Sequence, residues 1–123
     1  MKSAELKNRT KEFAKAVIKL AQKLPNNRVG WTISDQVIRS CTSVASNYRA
    51  VCRAKSDKDF IFKMGIVIEE ADETQFWLEM IYELDLIIEK KEVKSLIREA
   101  DELVSIFVAS IKTVKKRIKN LKS

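Results

Sequence analysis

Histidine is absent from this 123-residue chain, and glycine (two), proline (one) and cysteine (two) are scarce. Each shortage excludes a chemistry. Without histidine there is no imidazole base and no Glu-x-x-His pair of a carboxylate-bridged di-iron bundle, and with only two cysteines besides, none of the usual zinc sets can be assembled. Two isolated glycines cannot make a Gly-rich phosphate loop. Cys41 and Cys52 form no CxxC. On a continuous helix their eleven-residue spacing puts them about 16 Å apart, too far for an intrachain disulfide. The spacing predicts two buried thiols acting as small hydrophobes. No run of 18 uncharged apolar residues exists to span a membrane. The opening "MKSAELKNRTKEFAKAV" alternates charge too often for a signal-peptide core, so the expected compartment is the cytoplasm.

What remains is rich in helix formers: 46% of residues are apolar and 33% charged. A chain of this length makes one domain with one core, and so few turn formers predict long helices with short connections. The net charge of +7 is unevenly spread: residues 1–55 carry +9, residues 56–89 carry −8 and residues 90–123 carry +6.

Periodicity and punctuation divide the chain into four helices, at about 3–24, 33–54, 57–89 and 92–120, within a single domain spanning residues 1–123. In the first, Phe13, Ala16, Val17, Leu20 and Leu24 make an apolar stripe, and Pro25 ends it. Thr32 with Asp35, and Ser56 with Asp59, read as capping boxes opening the second and third helices. The second turns Val37, Cys41, Val44, Tyr48 and Cys52 inward. The third, at roughly 50 Å, carries a heptad-like seam of Phe60, Met64, Val67, Ala71, Thr74, Leu78 and Ile81. Phe62, Ile66, Trp77, Met80, Leu84 and Ile87 give it a second apolar side, so it is expected to be covered on two sides. Four amphipathic helices with short links predict an all-α, antiparallel up-down-up-down bundle.

The stretch "SCTSVASN", residues 40–47, consists of mediocre helix formers in mid-helix. Gln36, Ser40, Ser43 and Asn47 fall on one side at spacings of four, three and four. Small residues permit close helix approach, and buried polar ones require partners. We read Gln36, Arg39, Ser43 and Asn47 as a structural polar network with Glu70 and Glu73 of the third helix; a ligand site and a solvated stripe are the alternatives. The neighbouring "EEADET" has no histidine and no calcium-loop pattern, so no metal and no other cofactor is expected. No nucleophile has a recognisable activator, and no catalytic residue is assigned.

Two basic sets invite a partner. Lys7, Lys11, Lys15, Lys19 and Lys23 recur every fourth residue, a ridge drifting about 40° per step around the first helix. Lys112, Lys115, Lys116, Arg117, Lys119 and Lys122 crowd the end of the fourth. Cations favour a helix C-terminus, which makes a solvated helix end one reading. Clustered Lys/Arg also release counterions from nucleic acid. With no aromatic residue interleaved, base stacking is not expected, and binding would ignore sequence.

Three segments, "IRSCTSVASNYRA", "KSDKDFIFKMGIVIEEADETQFWLEM" and "IFVASIKTVKK", carry a resemblance. In order and spacing the chain, over about residues 10–118, resembles the bacterial 23S rRNA-intervening sequence proteins. The match is carried by Gln36, Arg39, Ser43 and Asn47, then Phe60 and Lys63, then Glu70, Glu73 and Trp77. The family's usual Ile-Pro is Val44-Ala45 here, and its "AEG" after the Asn is "RAV". The resemblance implies a small bundle assembled into a ring, typically a homopentamer, with no established activity. The bundle is also similar to accessory proteins of diversity-generating retroelements, basic pentamers associated with nucleic acid and a reverse transcriptase. The expected partners are therefore other copies of this chain, and RNA, DNA or a nucleoprotein such as a reverse transcriptase complex. A scaffold that binds only protein is the competing expectation.

Overall fold

The computed structural model describes residues 1–122. It contains four helices and no strand among the described residues: α1 (Ser3–Ala21), α2 (Arg28–Val51), α3 (Asp57–Glu83) and α4 (Lys90–Lys122). They form the all-α antiparallel bundle, each helix packed on its neighbours in the chain, with α4 returning to α1 along the thinnest seam. Apolar residues at three- and four-residue spacing fill the centre: Leu6, Phe13, Val17 and Leu20 of α1, Ile33, Val37, Cys41 and Val44 of α2, Met64, Val67, Ala71, Leu78 and Ile81 of α3, and Val93, Ala100, Leu103 and Phe107 of α4. Tyr48 stacks on Phe107 across the core, with ring centroids 5.9 Å apart. No helix among the described residues is long and apolar enough to cross a membrane.

Charge closes the thin α1–α4 seam. The guanidinium of Arg9 is held by Glu99 at 2.7 Å and by Glu102 at 3.1 Å. These hydrogen bonds, the one to Glu99 foremost, raise the Arg9 pKa against the opposing effect of desolvation. Farther along, Lys23 donates to Glu92 at 2.7 Å.

Several boundaries differ from the sequence reading. α1 stops at Ala21, and the N–H groups of Lys23 and Leu24 then bond to the carbonyls of Leu20 and Ala21 in tight turns leading to Pro25. α2 begins at Arg28, five residues before the expected start, because Asn27 is the cap: its Oδ1 accepts from the Gly30 N–H at 3.0 Å. The Thr32–Asp35 pair consequently lies inside the helix and caps nothing. The early start depends on Gly30, since a Cβ there would fall 1.8 Å from the Pro25 carbonyl oxygen.

α3 opens on Ser56, whose Oγ accepts from the Asp59 N–H at 3.1 Å, while Asp59 accepts from the Lys55 N–H at 3.0 Å. Salt-bridging to Lys63, then the bond from Lys55, lowers the Asp59 pKa. The helix ends at Glu83, six residues early and at about 40 Å in length. Asp85 takes a left-handed φ of 53°, and the N–H groups of Asp85 and Leu86 bond back to the carbonyls of Tyr82 and Ile81. That is the Schellman pattern, with aspartate where glycine is usual.

Of the two thiols expected to be buried, one is. Cys41 is buried, its Sγ donating towards the Ala14 carbonyl at 3.6 Å and the Ile38 carbonyl at 3.4 Å. Cys52 is exposed. It caps α2 one residue past Val51, which takes the last buried position, and lies beside Ser3, Ala4 and Lys7 of the first turn of α1. The spacing did aim both thiols at nearly one side, but the core runs out before Cys52.

Candidate nucleic-acid interface

Antiparallel topology decides which charges meet. The start of α1, the end of α2, the start of α3 and the end of α4 share one end of the bundle. Counting residues 1–15, 45–63 and 108–122 as that end gives a net charge of +12, leaving −5 for the rest of the chain. Segments separate in sequence thus converge into one positive end. Arg49, Arg53 and Lys55 of the α2–α3 corner and Lys63 of α3 belong to it. Sequence reasoning did not assign these four; the signal was the connection between two helices whose partners were already placed.

At this end α4 is the most strongly cationic element. No acidic residue follows Glu102 in the chain, and Val114 is the last buried position. Lys112, Lys115, Lys116, Lys119 and Lys122 are all exposed, and among the described residues none forms an ion pair. Arg117 behaves differently, donating to Asp57 at the start of α3 at 2.7 Å. This bond fixes the level of α4 against α3, so residues 118–122 run past the first turn of α3. The five lysines fall within about 120° of the helix circumference, making one cationic side on the last turns of α4.

The row on α1 is less uniform. Lys15 is paired with Glu12 at 3.2 Å and Lys23 with Glu92. Lys7, Lys11 and Lys15 instead rim a groove of about 460 Å³ between α1 and α2, closed on the other side by Arg49. Ala14, Ile18 and Ala45 line it, together with Thr42 and Ser46. Lys19 is exposed farther along the helix, outside the groove. The small residues of "SCTSVASN" therefore have two outward consequences: a low groove wall towards α1 and polar contacts towards α3.

The polar stripe does not form one network; it divides into three sets. Arg39 is the hub of the first, pairing with Glu70 at 3.3 Å and with Glu73, while Gln36 accepts from it at 3.1 Å. Trp77 adds an indole N–H donated to Glu73 at 3.1 Å. In the second set, Asn47 donates to the Ser43 carbonyl at 2.9 Å and to the Ser43 hydroxyl at 2.8 Å, within its own helix. Asn47 and Ser43 thus bond to each other and not to the α3 carboxylates, which pair with Arg39, one turn from Ser43 and two from Asn47. The third is a buried link, unassigned in the sequence reading, in which the hydroxyls of Ser40 and Thr74 lie 2.9 Å apart. Thr74 donates to the Glu70 carbonyl at 2.8 Å in its alternative orientation. Arg39 is half exposed, and its pairs with Glu70 and Glu73 tie α2 to α3. Among the described residues, no group of three His, Cys, Asp or Glu is arranged to hold a metal ion.

The fold and its paired helices define an all-α antiparallel four-helix bundle protein. The chain belongs to the 23S rRNA-intervening sequence protein family, whose model matches residues 2–109. Among solved structures, it is similar to a Bacteroides thetaiotaomicron protein described as of unknown function from the S23 ribosomal protein family. The two are 32% identical with a TM-score of 0.79, over 87% of this chain and 98% of that one. No curated protein gives a significant match. The family match ends at residue 109, so the lysine-rich end of α4 lies outside it.

Proposed function

We propose that this protein is a non-catalytic, homo-oligomeric interaction module of the cytoplasm that binds nucleic acid through the C-terminal end of α4. The carrying observation is that the α4 end presents five exposed lysines with no acidic neighbour in sequence after Glu102. Phosphate neutralisation with counterion release is the interaction such a surface makes. Backbone contacts carry no base information, so RNA and DNA of any sequence are bound alike. Assembly repeats the lysine cluster; five copies, the number the family resemblance implies, would place five clusters on one particle and gain by multivalency. A nucleoprotein, such as a reverse transcriptase complex, offers the same phosphates. Electrophoretic shift with generic RNA and generic DNA tests the reading. Retardation of both at low salt supports it, and retardation of neither leaves a scaffold that binds only protein.

A further inference from the structure

The outer face of α3 is uncovered and carries two exposed aromatic rings. Phe62 is 69% exposed and Phe76 is 50% exposed, two heptads apart and about 21 Å along the helix. Between and beyond them the same face exposes Glu69, Asp72, Glu79 and Glu83. Gly65 leaves it open, since a Cβ there would meet nothing within 4 Å. Among the described residues, none of these four carboxylates has an ion-pair partner within the chain. The face is therefore aromatic and acidic, with its charge unanswered.

The α1–α2 groove has the opposite character. Its lining of Ala14, Ile18 and Ala45 is apolar and low, and its rim is Lys7, Lys11, Lys15 and Arg49. Among the described residues, only Lys15 of these cations has an ion-pair partner within the chain, the exposed Glu12. The two surfaces lie on different sides of the bundle and cannot meet within one molecule.

We propose that the aromatic, acidic face of α3 in one copy of this chain seats in the basic α1–α2 groove of a second copy. The occupant is chosen by charge complementarity: four unpaired carboxylates around two exposed rings match four cations around an apolar lining. An interface with an apolar centre and a charged rim has the ordinary anatomy of specific association. Because the two surfaces differ, the contact is heterologous, and repeating it generates a ring or a filament rather than an isolated two-fold dimer. The inference rests on the homo-oligomer reading and adds which faces meet. It also separates two basic surfaces: the groove is occupied by protein, and the end of α4 stays free for phosphate.

Charge reversal tests the pairing. One variant carries Lys7→Glu, Lys11→Glu and Lys15→Glu; a second carries Glu69→Lys, Asp72→Lys and Glu79→Lys; a third carries all six. Every position is exposed, and far-ultraviolet circular dichroism verifies that the bundle is intact. Light scattering at micromolar concentration and low salt is expected to give an oligomer for the wild type. Each triple variant is expected to fall to the 14.2 kDa of one chain, and the six-fold variant to recover the oligomer. Triple variants that keep the wild-type mass, or a six-fold variant that stays single, overturn the pairing while leaving oligomerisation standing. A wild type of single-chain mass overturns the oligomer reading and the pairing with it.

Discussion

Gly30 shows how one missing side chain sets a helix start. The Asn27 side chain caps α2, and the chain then folds back so closely that the Pro25 carbonyl occupies the space of a Cβ. Gly30→Ala must displace backbone, so the expected loss is about 2 kcal/mol or more, read as a lowered denaturation midpoint. The thiols give a second residue-scale expectation. Burial pushes the Cys41 pKa up to about 12 from 9.0, whereas Cys52 is exposed. A thiol reagent at mildly alkaline pH should modify one cysteine per native chain, and both after denaturation. The Cys41 shift also carries a sign: the unfolded thiol ionises before the folded one, so its contribution to stability is intact below pH 9 and declines from there towards 12. Cys41→Ala should lessen that decline in alkaline denaturation curves.

At the scale of elements, α3 is the most informative helix. Its buried positions Met64, Val67, Ala71, Thr74, Leu78 and Ile81 follow the heptad-like seam visible in the sequence, because a buried stripe must repeat with the helix period. Its end was not visible. Apolar residues continue in phase through Leu84, Ile87 and Ile88, and no glycine or proline marks a stop. Aspartate adopts the left-handed conformation at some cost, since only glycine escapes the Cβ clash. Asp85→Gly should therefore raise the denaturation midpoint, by about 1 kcal/mol or less, even though it removes the exposed ion pair with Lys90. Asp85→Val should lower it, and equal midpoints for the two variants would contradict this account of the turn. The start of α2 was misread for a related reason: two competing caps, at Asn27 and Thr32, lie five residues apart, and only the packing of Gly30 on Pro25 decides between them.

The whole molecule is a charge-segregated bundle, and that property was partly legible. The basic, acidic and basic thirds are plain in the sequence. Their convergence at one end required the antiparallel topology, which also brings in Arg49, Arg53, Lys55 and Lys63. Three-dimensional contacts further separate Arg117, tied to Asp57, from the lysines around it. Binding by the end of α4 makes a quantitative demand. Contact with four to six phosphates of a duplex requires log K to fall against log[salt] with a slope of about −4 to −5. Substituting Lys115, Lys116 and Lys119 by glutamine should flatten that slope by about 3, with the bundle unchanged. The most direct measurement is thus the salt dependence of affinity for a generic duplex, wild type against this triple variant. A steep wild-type slope that flattens in the variant is the predicted result; no association at about 50 mM salt with the bundle intact, or equal slopes for both proteins, would contradict it.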